Sequence, residues 1–168
     1  MFFSSVYGGW EHVQREKYEG IFDVIGNELL ARLFRKRTLD IGCGPCFLQK
    51  FLETMGIKSD LYSIDIEKTK PHGCAFVLAD GNNLPFRNEG FFFITCIDTL
   101  HLLKTDDFRR VLRKRGFVLL SLFFNNDNFH ERKNMLRQRV RGFDIITEFE
   151  LQGQENEYVI LAQKRYSH

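Results

Sequence analysis

The chain predicts an α/β fold, a single domain built on a mostly parallel seven-stranded sheet with helices on both faces and a C-terminal antiparallel hairpin. Three observations predict it. Short apolar runs with strand character alternate with helix-periodic segments between residues 38 and 124. A glycine turn, Gly42-Cys43-Gly44, joins the first such run to the helix that follows it. The last two runs are separated by only a few polar residues, as suits a hairpin. At 168 residues the chain fits one domain, 1–168, and leaves no room for a second.

Taken in order, residues 1 to 17 are poorly periodic, and Gly8-Gly9 is expected to break any early helix. Tyr18 to Phe34 reads as an amphipathic helix with Ile21, Phe22, Ile25, Leu29, Leu33 and Phe34 on one face. Arg35-Lys36-Arg37 closes it, since cations suit a helix C-terminus. A strand at 38–41 follows, then the glycine turn, then a helix whose apolar face is Phe47, Leu48, Phe51, Leu52 and Met55 and whose end is Gly56. Further strands are expected at Leu61 to Ile66, Cys74 to Ala79, Phe91 to Ile97 and Phe117 to Phe124, the last preceded by a short helix over Thr105 to Lys114. A polar helix near Asn128 to Arg139 leads to paired strands at Phe143 to Leu151 and Tyr158 to Lys164.

Composition narrows the class. A hydrophobic share of 43% with 27% charged residues is that of an ordinary globular protein, and no apolar run approaches the ~20 residues of a membrane span. The opening MFFSSVYGGW lacks a basic n-region and a long apolar core, so no signal peptide is read and a cytoplasmic location is expected. The net charge of +2 permits an anionic partner without demanding one.

Ligands of open α/β sheets bind beyond the carboxyl ends of the strands. Acids fall at or near four consecutive strand ends: Asp40, Asp65, Asp80 and Asp98. An acid about 20 residues after the glycine turn, here Asp65, is the type needed to accept hydrogen bonds from two ribose hydroxyls. Cys43-Gly44-Pro45-Cys46 also spells the redox motif of thioredoxins. It lacks the preceding Trp and sits inside a longer strand–helix alternation, so coincidence is the preferred reading. The four cysteines, Cys43, Cys46, Cys74 and Cys96, are expected to be buried thiols of a reducing compartment. No metal site is expected.

These residues resemble a class I, Rossmann-like S-adenosylmethionine-dependent methyltransferase over nearly the whole chain. LDIGCGPC resembles the glycine-rich first motif, YSIDI the second-strand ribose motif, LADGNNLPF the adenine motif, CIDTLHLL the fourth-strand motif, and GFDIITEFEL with EYVILAQK the closing hairpin. The resemblance implies S-adenosyl-L-methionine as cofactor. It places Gly42 and Gly44 against its methionine and ribose parts, Asp40 near its amino group, Asp65 on the ribose, Asp80 on the adenine amino group and Asp98 near the methionine end. It leaves residues 1–17 to cover the cofactor, through Tyr7 or Trp10. Cys46 departs from the third glycine many members carry, and Arg115-Gly116 from the usual Pro-Gly-Gly.

Methyl transfer from a sulfonium needs alignment and a proton acceptor more than a nucleophilic side chain. His101 is the candidate base by placement, with Asp98 beside it. The segment Asp98-Thr99-Leu100-His101 lacks the Asn/Asp-Pro-Pro-Tyr clamp of adenine and glutamine methyltransferases, which disfavours those acceptors. A Rossmann oxidoreductase and a non-catalytic scaffold are the alternatives; the first lacks G-x-G-x-x-G because position 47 is Phe. Short connections leave the pocket open, which favours RNA or protein as acceptor over a metabolite, or a site completed by a partner subunit. Two basic runs are candidate contacts: Arg109, Arg110, Arg113, Lys114 and Arg115, and Arg132, Lys133, Arg137, Arg139 and Arg141.

Overall fold

The computed structural model describes residues 4–68 and 73–166, with side chains from Gly9 onward. The strands are β1 (Arg37–Ile41), β2 (Asp60–Asp65), β3 (Ala75–Leu78), β4 (Phe91–Ile97), β5 (Leu112–Phe124), β6 (Phe143–Leu151) and β7 (Asn156–Lys164). They form one sheet in the order β3-β2-β1-β4-β5-β7-β6, in which the first four pairings are parallel and the two made by β7 antiparallel. The order reverses between β1 and β4, so the carboxyl ends of these strands define the crevice.

Helices α1 (Ser4–Ile25), α2 (Asn27–Phe34) and α3 (Phe47–Thr54) bury one face of the sheet. Their Phe22 stacks on Phe34 with centroids 6.0 Å apart and meets Phe51 edge-on at 5.2 Å, over Phe93 and Leu119 of the sheet. The short α4 (Phe108–Val111) and α5 (Phe129–Arg139) cover the other face through Phe108, Val111, Leu136 and Val140. Core aromatics thus absorb much of the unusual phenylalanine content.

Three expectations need correction. The first helix does not begin at Tyr18: α1 runs through Gly8-Gly9, because Tyr18, Ile21 and Phe22 anchor a long helix whose tertiary burial outweighs the ~1 kcal/mol that each glycine costs. The true break is Gly26, at φ 107°, which splits the expected single helix into α1 and α2. The short helix expected over Thr105 to Lys114 is present but only four residues long, Phe108–Val111, and β5 starts at Leu112 rather than Phe117. Gly116 lies inside β5, where a Cβ would stand 2.8 Å from the Phe92 carbonyl oxygen and 2.7 Å from Leu112. The close approach of β4 therefore demands glycine there, next to Arg115 at φ 61°.

The turn after β3 stands where a helix would otherwise cross over, and side chains hold it in place. Asn82 accepts from the Lys104 and Thr105 amides, Asp107 accepts from the Leu84 amide at 2.8 Å, and Arg110 donates to the Leu84 and Phe86 carbonyls. No helix of the chain is long and apolar enough to cross a membrane, among the described residues.

Candidate active site

The glycine turn is shaped by its own backbone and by Thr99. Gly42 sits at φ 77°, and a Cβ there would fall into the Thr99 side chain, 2.6 Å from its Cβ, so glycine is required twice over. Gly44, at φ 50°, donates its amide to Asp65 Oδ2 at 2.8 Å, which ties the turn to the end of β2. Asp65 Oδ1 accepts from the Glu67 amide at 3.0 Å. Each carboxylate oxygen keeps a second lone pair for a ligand hydroxyl. Cys46 then opens α3 in the left-handed conformation, φ 61°, which is the physical reason a glycine serves at this position elsewhere.

Two cavities flank this turn and share Gly42 and Thr99. The smaller, about 220 Å³, has Asp65 and Asp80 with the apolar walls Ile66, Leu102 and Leu103. The larger, about 340 Å³, is lined by Asp40, Gly44, Asp98, His101, Arg132 and Glu155, with Trp10, Gln14 and Tyr18 of α1 overhanging it. All six residue positions expected at the cofactor are therefore brought to one crevice. Trp10 is at its rim; the Tyr7 side chain lies outside the described residues.

Their environments differ. Asp40 is buried, accepts from Thr95 Oγ1 at 2.8 Å, and is pushed up to about 7 by burial, against that hydrogen bond. Asp80 Oδ1 is engaged by the Asn82 amide and side chain, at 2.8 and 2.9 Å. Asp98, in the left-handed region at φ 57°, accepts from the Phe123 amide at 2.7 Å and pairs through its other oxygen with Lys17 of α1. Through these two partners Asp98 ties α1 and β5 together at the end of β4.

Lys17 is the site residue that sequence reasoning missed. Its ammonium is buried between Asp98, Glu155 (3.4 Å) and Glu157 (2.6 Å). Three carboxylates this close would suit a metal ion, but the lysine fills the centre and takes that role. Burial, followed by Asp98, pushes the Glu157 carboxyl well up. The signal available in the sequence was a lone lysine one residue before an apolar helical face, and nothing local names its partners.

His101 is exposed at the mouth of the larger cavity, and burial followed by the Arg132 charge lowers its imidazole from the usual range, against Asp98. It is therefore neutral near pH 7, as a base must be. The CGPC thiols lie beneath the turn: Cys46 Sγ is 3.6 Å from Cys43 Sγ, and all four cysteines are unpaired. Cys43 is pushed up and Cys46 down, first because of the hydrogen bond between the two thiols.

The two basic runs separate. Arg109, Arg110, Arg137 and Arg139 are spent on carbonyls and on Asp106, Asp107 and Glu148. Arg113 to Arg115 lie at the amino end of β5, and eight strand residues, roughly 26 Å, separate Arg115 from Phe123 at the cavity. The run 109–115 therefore does not reach the crevice.

A crevice of two cavities joined at a glycine turn, with a carboxylate tying that turn to β2, matches a nucleoside with a polar tail. The methyltransferase domain family matches residues 39–120, which hold the turn, Asp40, Asp65, Asp80, Asp98 and His101. Residues 39–120 are those of a methyltransferase domain. The fold is of the class I, Rossmann-like type. Solved structures agree on the fold. An S-adenosylmethionine-dependent methyltransferase from Methanosarcina mazei is 17% identical, with TM-score 0.60 over 80% of this chain and 94% of that one. One from Aquifex aeolicus is 16% identical, TM-score 0.60, over 82% and 88%. A putative methyltransferase from Haloferax volcanii, solved in complex with the Trm112 methyltransferase activator, is 12% identical, TM-score 0.64, over 94% and 97%. No curated protein sequence matches this chain.

Proposed function

We propose that this methyltransferase domain transfers a methyl group to RNA or protein rather than to a free metabolite. The observation that carries this reading is the mouth of the larger cavity. Among the described residues α1 alone overhangs it, and the turn beside the adjoining smaller cavity is held in place through Asn82, Asp107 and Arg110. A small acceptor must be enclosed to exclude water, and none of the described connections closes over one; a macromolecule brings its own enclosing surface. A partner subunit is a second source of that surface, and the Haloferax structure with its activator gives a precedent for assembly. The four unpaired thiols suit a reducing compartment such as the cytoplasm.

The residues fit S-adenosyl-L-methionine as cofactor. Asp65 would accept from the ribose hydroxyls, and Asp80 from the adenine amino group between Ile66, Leu102 and Leu103. Asp40 and Asp98 would face the methionine ammonium, with Gly42 and Gly44 allowing close approach. When bound, the cofactor supplies an electrophilic methyl group on a sulfonium. His101 would take the proton released by the acceptor, because it is neutral and uncommitted while Asp98 is held by Lys17 and the Phe123 amide.

The test is labelled methyl transfer into RNA, protein and small-molecule fractions of an extract, with the demethylated cofactor product as competitor. Label in RNA or protein is expected. Label confined to small molecules overturns the reading.

A further inference from the structure

We propose that Arg132 is an oxyanion clamp for the acceptor, so that the methylated group lies next to a phosphate or carboxylate of the same substrate; this rests on the methyltransferase reading above. Arg132 comes from the first half of α5 and lines the larger cavity with His101. Its Nε is buried with no hydrogen-bond partner among the described residues, and no carboxylate there pairs with it. That sets it apart from its neighbours. Arg137 is paired with Glu148, Arg139 with Asp106 and backbone carbonyls, and Lys133 lies over the rings of Phe129 and Tyr158. A guanidinium held in a cavity with a desolvated, unsatisfied donor is costly unless something accepts from it on binding, and its planar fork matches a carboxylate or phosphate.

The cavity's own acids do not serve it. Asp98 and Glu155 are drawn to Lys17, and Asp40 accepts from Thr95 on the β1 side. The methionine carboxylate of the cofactor would have donors of its own in the amides that open α3, which has no side-chain cap. Arg132 is instead on the side of His101, the candidate base, and its charge already acts on that imidazole. An oxyanion on Arg132 would thus orient the acceptor and, by neutralising the guanidinium, raise the basicity of His101.

The experiment uses the full chain saturated with the demethylated cofactor product, whose binding is first established by calorimetry. Failure to bind that product defeats the methyltransferase reading and is seen before Arg132 is tested. Inorganic phosphate, acetate and, as an ionic-strength control, chloride are then titrated, and the His101 imidazole resonances are followed across pH, assigned with His101→Gln. A saturable, millimolar response to phosphate or acetate that raises the His101 titration point is expected. A stronger response to phosphate identifies a phosphodiester as the natural group, and an equal one a carboxylate. Arg132→Gln should abolish the response while leaving affinity for the demethylated product within twofold, and Arg132→Lys should keep part of it. No response beyond that to chloride, or the same response in Arg132→Gln, overturns the proposal. So does a tenfold or greater loss of product affinity in Arg132→Gln, which would give Arg132 to the cofactor's own carboxylate.

Discussion

Replacing Lys17 by methionine keeps the length and apolar stem of the side chain and removes one charge. In the native protein that ammonium faces Glu157, whose side chain is 1% exposed, and is itself 2% exposed. Without it Asp98, Glu155 and Glu157 face one another with no counter-charge, and nothing offsets the burial that already pushes the Glu157 carboxyl up to about 8. Breaking a buried ion pair costs ~3–5 kcal/mol. For a chain of this size that lowers Tm by roughly 6–20 °C. The sign with pH follows. A carboxyl raised in the folded state stabilises below its unfolded value and loses that contribution as pH rises, and removing the lysine raises it further, so the penalty of Lys17→Met should be smallest in acid and grow as pH rises towards 8. Urea unfolding of wild type, Lys17→Met and Lys17→Met with Glu157→Gln measures it, and the second substitution should restore more than half of the loss. A penalty below about 1 kcal/mol at pH 7, one that does not vary with pH, or no rescue by Glu157→Gln refutes the reasoning.

Gly42→Ala should abolish detectable cofactor binding and cost at least ~2 kcal/mol of stability, and Thr99→Ser should not rescue it, because the clash extends to the Thr99 Cβ at 2.6 Å; calorimetry and urea unfolding decide this. Asp65→Ala should weaken S-adenosylmethionine by tenfold or more, since it removes both a ribose acceptor and the Gly44 tether, while Cys43→Ser with Cys46→Ser should leave affinity largely intact. The reverse pattern in calorimetry would return the turn to a redox reading. Asp40, at about 7 in the free protein, should ionise when it meets the cofactor's ammonium. Binding should therefore release a proton and tighten as pH rises from 6 to 7.5, and Asp40→Asn should flatten that slope; calorimetry in buffers of different ionisation enthalpy counts the proton.

What the sequence disclosed was local or periodic. The glycine turn, the acids at strand ends and the C-terminal hairpin are each written within a few consecutive residues, and β1, β4, α5 and the hairpin lie within a residue or two of where their patterns put them. What it concealed depends on partners far along the chain. Gly8-Gly9 looks like a break until Tyr18 and Phe22 are seen packing on Phe51. Gly116 looks like the start of a strand, whereas it marks the approach of Phe92 within one. Basic residues at 109, 110, 137 and 139 look like a nucleic-acid face but cap carbonyls and pair with acids, while Arg132, indistinguishable from them in the sequence, is the one facing the cavity.

The Lys17 cluster also has a consequence for how the protein is made. Lys17 and Glu155 are 138 positions apart, and Glu157 is farther still. At a synthesis rate of about 5–20 residues per second, roughly 7–28 s pass between the appearance of the lysine and that of Glu155. During that time α1 can pack its aromatic face on α3 and meet Asp98, 81 positions on, but two of its three acids are still to come. The helix made first is thus fully tied down only when β7 is made.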